Sequence, residues 1–239
     1  MKVVECPHCG HAQPPTITIC PQCGTPLRRT SKHRAIGLIE GAAGIGKTTL
    51  VDGLMQRHLQ LHPHQNTLLR LGQGHTYAPL DPDGIESQIT ADEQLAYLNR
   101  IHHLLDFLAH PTGPNSTPPF SCLIETLHLT LSTKPHILSP AQLVEYDRKL
   151  AAIGCKLIFI RVTPETLWER CIWQRRHNGF IIVYGQKYGR TLDEIHAHYV
   201  AEQAHMLRLF EESTMPKILL DGELSNEELI DTAYDFWIR

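Results

Sequence analysis

The stretch Gly41-Ala-Ala-Gly-Ile-Gly-Lys-Thr48 matches in full the phosphate-binding pattern G-x-x-x-x-G-K-[S/T]. It follows a short apolar run, residues 35–39, that suits a buried parallel strand, and it leads into a helical pattern over residues 47–61. On that helix we expect an apolar stripe made by Leu50, Leu54, Leu59 and Leu61. A strand, a glycine turn and a helix N-terminus in this order form a cradle for phosphates, because backbone N–H groups point inward and the helix dipole favours negative charge.

This segment, called the phosphate loop below, predicts a site for a nucleoside triphosphate such as ATP. Lys47 is expected to reach the β- and γ-phosphates, and the hydroxyl of Thr48 to hold Mg²⁺. The residues predicted to contact the nucleotide are Gly41, Ala42, Ala43, Gly44, Ile45, Gly46, Lys47, Thr48 and Thr49.

The composition is that of an ordinary globular chain. The 239 residues suffice for one sizeable core with a small appendage, and 42% hydrophobic and 20% charged residues are usual values. No apolar run is long enough for a transmembrane helix, and the N-terminus lacks the apolar stretch of a secretory signal. We therefore expect no membrane association, a cytoplasmic location and reduced thiols.

Four of the seven cysteines lie in the first 23 residues, as two C-x-x-C pairs. Each pair can form a tight knuckle, and four thiolates in a tetrahedral array are typical of a structural zinc site. The predicted zinc ligands are Cys6, Cys9, Cys20 and Cys23. The segment resembles the short zinc ribbons that many bacterial proteins carry as an appendage. We expect a zinc ribbon over residues 1–27, a polar linker over 28–34 and the main domain over 35–239.

From residue 35 onward, apolar runs alternate with helical patterns. This alternation predicts an α/β fold, with the mostly parallel sheet of a P-loop NTPase and helices on both faces, in addition to the zinc ribbon. The expected strands are Ala35–Glu40, Thr67–Leu71, Phe120–Glu125, Cys155–Val162 and Lys217–Asp221. Helix starts are predicted by capping boxes at Thr90, Thr191 and Ser225, and by Ser139-Pro140 and Thr163-Pro164.

The order of these elements from residue 35 to 239 resembles the nucleoside and nucleotide kinases, for example the thymidylate kinases. The chain has no Asn-Lys-x-Asp motif of guanine-binding proteins and no Leu-Ser-Gly-Gly-Gln signature of ABC-type ATPases. In the kinases an arginine-bearing lid follows the fourth strand of the sheet, and the corresponding segment here, residues 168–179, is called the lid below. The resemblance implies that Arg170, Arg175 and Arg176 stabilise the phosphoryl group during transfer.

An acidic residue, Glu125, ends the third strand of the expected sheet, where it would lie beside the phosphate loop and orient Mg²⁺. The kinases often have an arginine directly after this acid, whereas Thr126 follows here. The loop after the second strand would face the acceptor. We expect His75 and Tyr77 there to contact the substrate, with His128 facing the same cleft, and the resemblance gives Arg70 a similar role.

Other notable side chains have structural interpretations. The spacing of the 16 histidines does not favour a metal site. We expect Trp168 and Trp173 to belong to the core, and Cys122, Cys155 and Cys171 to act as small buried hydrophobes.

The sequence thus predicts a kinase that moves the γ-phosphoryl group of Mg·ATP to a small hydroxyl or phosphate acceptor, such as a nucleoside or nucleotide. One alternative is a regulatory NTPase or nucleic-acid adaptor, in which the ribbon docks on a protein, RNA or DNA. The first 34 residues have a formal charge of +4 and the remainder −7, which is weak support for nucleic-acid contact. Another alternative is a phosphotransferase that modifies a drug or a toxin target.

Overall fold

The computed structural model describes residues 4–5, 9–13, 20–23, 35–62, 67–72, 90–109, 120–133, 138–177 and 188–238. In these ranges the strands are β1 (Val4–Glu5), β2 (Ala12–Gln13), β3 (Ala35–Glu40), β4 (Thr67–Leu71), β5 (Phe120–Glu125), β6 (Cys155–Arg161) and β7 (Lys217–Asp221). The helices are α1 (Lys47–Leu61), α2 (Ala91–Ala109), α3 (His128–Leu131), α4 (Pro140–Ala152), α5 (Pro164–Leu167), α6 (Leu192–Glu212) and α7 (Asn226–Ile238). A π-helical segment, Trp168–Trp173, continues α5.

The strands β3 to β7 form one parallel sheet in the order β4-β5-β3-β6-β7. Every residue of β3 and β5 is buried, which fits apolar runs without alternation in a sheet covered on both faces. The register sets Ile39 of β3 opposite Glu125 of β5. The predicted α/β fold is therefore confirmed, and all five predicted strands are present, with β6 ending one residue early.

Helices cover both faces of this sheet. On one face α1 packs against α7, and both contact β3. The right-handed rule for crossovers between parallel strands puts α2, α4 and α6 on the other face. Of these helices, α4 and α6 contact β6. The order of strands brings the carboxyl ends of β3, β5 and β6 to the same edge of the sheet, and the phosphate loop starts at the centre of that edge.

The predicted helix starts are also present. Ser139 and Thr191 each form a complete capping box, with Gln142 and Glu194 respectively. Thr90 and Ser225 exchange the same kind of hydrogen bonds with the glutamate three residues later. Such caps each stabilise a helix by roughly 0.5–2 kcal/mol, so these ends are fixed locally by the sequence.

The apolar stripe predicted on α1 is only half correct. Leu50 and Leu54 are buried, but Leu59 is 50% exposed and Leu61 is 55% exposed. The buried stripe continues instead through His58, one turn beyond Leu54, because residues four apart share a helix face. His58 lies against Trp237 of α7, and its Nδ1 atom is 3.2 Å from the hydroxyl of Tyr234.

No helix in the described part of the chain is both long and apolar enough to cross a membrane. The domain boundaries at residues 27 and 34 fall outside the described ranges and stay a prediction.

Candidate nucleotide site

Glycines shape the phosphate loop between β3 and α1. Gly41 and Gly44 have φ angles of 140° and 86°, in the left-handed region that favours glycine. A Cβ atom on Gly41 would lie 2.7 Å from the carbonyl oxygen of Ile160, so the close approach of the loop to β6 also requires glycine there. Gly46, with φ of 104°, is the N-cap of α1, and the first turn of that helix contains no acidic residue. The N-terminus of α1 is therefore free to interact with an anion.

Lys47 keeps its ammonium within the phosphate loop. Its Nζ atom donates to the carbonyl oxygens of Gly41 at 2.8 Å and Ala42 at 2.7 Å. Burial lowers the pKa of this lysine, while the charges of Glu40, Glu125 and Glu202 act in the opposite direction. The loop thus holds one buried cation at the position where phosphate charge would be compensated.

Thr48 and Glu125 form a pair of oxygen ligands beside this cation. The Thr48 hydroxyl donates to Glu125 Oε1 over 2.5 Å, and the Glu125 carboxylate is buried. The other carboxylate oxygen, Oε2, lies 3.4 Å from Nη2 of Arg70, whose Nη1 atom donates to Asp52 on α1. Hydroxyl and carboxylate oxygens are the ligands that Mg²⁺ prefers, so Thr48 and Glu125 could hold this ion.

Glu40 was not singled out by sequence analysis, although it contacts the same edge of the sheet. Its fully buried carboxylate accepts hydrogen bonds from the amides of Leu127 at 2.9 Å and Leu129 at 3.1 Å. It also accepts one from the hydroxyl of Thr130 at 2.6 Å. The signal in the sequence was an acid at the last position of an otherwise apolar buried strand.

These bonds join the last residue of β3 to the segment that follows Glu125. Within that segment Thr126 is buried and has a φ of 69°, which is unusual for a residue with a Cβ atom. Its amide donates to the carbonyl oxygen of Ile39 at 2.9 Å. Glu40 therefore helps to hold the chain in an unfavourable turn directly after the metal-ligating candidate Glu125.

The lid begins with the π-helical segment. The amide of Gln174 donates to the carbonyl oxygen of Glu169, five residues earlier, at 3.0 Å. This wider winding brings residues five apart nearly above one another, so Arg170 and Arg175 face the same side. The Arg175 guanidinium lies over Gly44, and its Cζ atom is 3.1 Å from the position of a Cβ on that glycine. Arg170 donates to the carbonyl oxygen of Gly222 at 3.1 Å.

Both arginines line a cavity of about 490 Å³ on the β6–β7 side of the phosphate loop. This volume is within the usual range of small-molecule pockets, roughly 300–1,000 Å³. The cavity is lined by Gly44, Ile45, Gly46, Thr49, Leu50, Ile160, Arg170, Gln174, Arg175, Asn226, Leu229 and Ile230.

Arg176 has a different environment from the other two arginines. Its guanidinium lies 3.8 Å from the ring centroid of Trp173, and it donates to the carbonyl oxygen of the same residue. Trp173 is 44% exposed and stacks against Trp168, so the prediction that both tryptophans belong to the core is wrong for Trp173. A cation–π contact on its outer face takes the place of core packing.

The ring of His128 contacts α4. Its ring is buried, with Nε2 3.3 Å from Asp147 Oδ1, and it lines a cavity between α4 and the end of α6. Although burial alone would raise the pKa of Asp147, hydrogen bonds from His128, Ser213 and Thr214 hold it well below the usual range. These contacts give no support to the substrate role predicted for His128. His75 and Tyr77 lie outside the described residues.

The three cysteines outside the N-terminal segment, Cys122, Cys155 and Cys171, are buried, as predicted. Burial raises the pKa of Cys122 to about 12 and that of Cys171 to about 11, and it raises that of Cys155 as well. These thiols therefore stay protonated near neutral pH and act as packing groups.

At the N-terminus, β1 and β2 pair in an antiparallel ribbon. The sulfur atoms of Cys9, Cys20 and Cys23, called the cysteine cluster below, all lie within 4.8 Å of one another. Gly10, directly after Cys9, has the positive φ of 72° expected in a knuckle. The cluster could hold a metal ion. The fourth predicted ligand, Cys6, is outside the described residues.

No protein-family model and no curated protein matches the chain. Solved structures of similar fold include the YorR protein of Bacillus subtilis in complex with phosphorylated GDP, with 13% identity and a TM-score of 0.47 over 83% of this chain and 92% of that one. A gluconokinase from Sinorhizobium meliloti 1021 has 12% identity and a TM-score of 0.48, with 85% and 91% coverage. A deoxyadenosine kinase from M. mycoides has 10% identity and a TM-score of 0.41, with 83% and 96% coverage. Similarities this distant do not assign a chemistry.

Proposed function

We propose that the chain is an ATP-binding P-loop kinase that transfers a phosphoryl group to a small acceptor, with a nucleoside or nucleotide as the expected class. One observation carries the proposal: the Lys47 ammonium and the Thr48–Glu125 oxygen pair meet at the N-terminus of α1, inside a loop bent by glycines. A triphosphate needs this combination of a buried cation, inward-facing amides and a place for Mg²⁺.

The cavity beside the loop suits the nucleoside part of the donor. It adjoins Gly44, Gly46 and Thr49, so a nucleotide with its phosphates in the loop would extend its base into this space. Arg175, above Gly44, would contact phosphate oxygens and stabilise the charge that spreads over the γ-phosphoryl group during transfer. Lys47 and the loop amides would hold the donor, and Thr48 with Glu125 would hold Mg²⁺.

We also infer that the ribbon binds a structural zinc ion through Cys6, Cys9, Cys20 and Cys23. The sulfur atoms of Cys9 and Cys20 are 3.6 Å apart. A tetrahedral site with Zn–S bonds of about 2.3 Å has sulfur–sulfur distances of roughly 3.8 Å, so the spacing fits. A protein or nucleic-acid partner of this ribbon, and a cytoplasmic location, stay predictions from the sequence.

The test of nucleotide binding compares two lysines that make similar bonds. Lys156 also donates to two carbonyl oxygens, those of Phe236 and Trp237, but it lies against α7 and outside the loop. We expect Lys47→Ala to weaken Mg·ATP binding by on the order of 10²-fold or more, and Lys156→Ala to leave the affinity within about threefold of the wild type. Calorimetric titration with a non-hydrolysable ATP analogue measures both. Equal affinities in the wild type and Lys47→Ala would overturn the proposed site.

A further inference from the structure

The position of the acceptor follows from that of the donor. The cavity for the nucleoside lies on the β6–β7 side of the phosphate loop. In phosphoryl transfer the attacking and leaving oxygens are roughly in line through phosphorus. The acceptor must therefore approach from the opposite side, which is the carboxyl edge of β5 and β4. Glu125 and Arg70 lie at this edge.

The charged groups described there are Arg70, Asp52 and Glu125, called the acceptor-side triad below. Arg70 contacts both carboxylates, one through each terminal nitrogen. Its positive charge is thus shared between two negative charges, and the triad has a net charge of −1 when all three groups are ionised. A phosphate that bound to Arg70 would have to displace one of these carboxylates.

In the part of the chain that the structure describes, the other cations near the phosphate loop make their contacts elsewhere. Lys47 is bonded within the loop, and Arg170 and Arg175 line the donor cavity on the other side. The described segment that follows β5, residues 126–133, contains no lysine or arginine.

We propose that the acceptor-side triad selects an uncharged hydroxyl compound, of the nucleoside or sugar class, and discriminates against a phosphorylated acceptor. This rests on the proposed kinase function. A phosphomonoester has a charge of about −1.5 to −2 at neutral pH, and kinases that use one need cations to bind it. A hydroxyl instead needs a hydrogen-bond acceptor, which the Glu125 carboxylate provides.

In the resulting step, the acceptor hydroxyl oxygen forms a bond to the γ-phosphorus. The bond from that phosphorus to the oxygen bridging the β- and γ-phosphates breaks, and its electron pair leaves with ADP. The hydroxyl proton passes to Oε2 of Glu125, the oxygen that faces Arg70, because Oε1 is the one paired with Thr48 at the proposed Mg²⁺ position. No oxidant, reductant or further reactant is required.

The test uses the full-length chain and pairs of acceptors that differ by one phosphate: nucleosides with their 5′-monophosphates, and hexoses with their 6-phosphates. Formation of ADP gives kcat/KM, and phosphorus NMR identifies the product. We expect the uncharged member of the preferred pair to exceed its phosphorylated partner at least tenfold in kcat/KM. A preference for the phosphorylated member, or use of neither member by a protein that binds Mg·ATP, overturns the proposal.

A pair of variants tests the assigned cause. Asp52→Asn removes one carboxylate from Arg70. We expect this variant to lower the ratio of kcat/KM for the uncharged acceptor to kcat/KM for its phosphorylated partner at least fivefold. The matched control is Asp231→Asn. Asp231 lies on α7 and forms a similar surface ion pair, at 2.7 Å, with Arg57 of α1. The proposal is overturned if the ratio of the two kcat/KM values is unchanged in Asp52→Asn, or if it shifts equally in both variants. The affinity for Mg·ATP is measured separately. A protein that does not bind Mg·ATP would contradict the proposed kinase function itself.

Discussion

Replacement of Glu40 by alanine offers a sharp test of how the site is held together. The carboxylate of Glu40 is fully buried and accepts hydrogen bonds from two amides and one hydroxyl of the segment 127–130. In Glu40→Ala these donors stay in the protein interior but lose their acceptor. The variant also removes a negative charge that acts on Lys47.

The expected magnitude follows from these contacts. A buried donor left unsatisfied costs about 1–3 kcal/mol, so three of them, after partial relaxation, should lower the free energy of unfolding by roughly 3–5 kcal/mol. For a chain of this length, that corresponds to a fall in Tm of about 10 °C. Glu40→Gln keeps one carbonyl oxygen as acceptor, and we expect it to lose less than half as much.

Urea unfolding followed by tryptophan fluorescence measures this change. The chain has three tryptophans, all beyond residue 34, so the signal reports on the part of the chain that contains the sheet. A matched control is Glu223→Ala. Glu223 also accepts from one amide and from hydroxyl groups, those of Thr163 and Thr166, but it is exposed to solvent. Water can replace an exposed acceptor, so the control should lose less than about 1 kcal/mol.

Equal losses of stability in Glu40→Ala and Glu223→Ala would refute the argument, because burial would then not decide the cost. Because Glu40 also holds the turn after Glu125, we expect Glu40→Ala to weaken Mg·ATP binding as well. A fall in stability with unchanged Mg·ATP affinity would refute that link.

Three further predictions concern the lid, the loop lysine and the ribbon. Arg175→Ala should lower kcat by on the order of 10²–10³-fold, and Arg176→Ala much less, because only Arg175 lies over the phosphate loop; steady-state kinetics that rank them in the reverse order would contradict this. Because burial lowers the pKa of Lys47, Mg·ATP affinity should fall as pH rises through that lowered value, while the apo chain becomes more stable as the buried charge is lost. In Glu40→Gln the fall in Mg·ATP affinity should begin at lower pH, because the lost negative charge no longer raises the pKa of Lys47. Calorimetric titrations from pH 7 to 10 that coincide for the wild type and Glu40→Gln would refute this prediction. Chelation should release about one zinc ion per chain and disorder the cysteine cluster, with the tryptophan-detected unfolding transition unchanged; a shifted transition would show that the two parts are coupled.

Local patterns explain why so much of the fold was predictable. The strands are short apolar runs in a sheet covered on both faces, and the helices begin at serine or threonine caps whose partners are three residues away. The phosphate loop is likewise encoded within eight consecutive residues. Signals of this kind depend on backbone geometry and near neighbours, so no knowledge of the rest of the chain is needed.

The errors arose where distant parts of the chain meet. Leu59 and Leu61 are apolar but exposed, whereas His58 is buried, because the position of α7 determines which face of α1 is covered. Trp173 is a different case, because it is 44% exposed and its described ring contacts are with Trp168 and Arg176 of the lid itself. His128 contacts Asp147 on α4, which its position three residues after Glu125 does not reveal, and its substrate role stays a prediction.

By itself, the sequence determined the phosphate loop, the order of strands and helices, and the two C-x-x-C motifs, because each depends on residues close together in the chain. Only the tertiary structure decided that Glu40 binds the turn after Glu125, that Arg70 is shared by two carboxylates, and that a π-helical turn aligns Arg170 with Arg175. Those contacts join residues from different strands and helices. Their energies depend on burial and on distances of a few ångströms, which are fixed only when the sheet and its helices have packed.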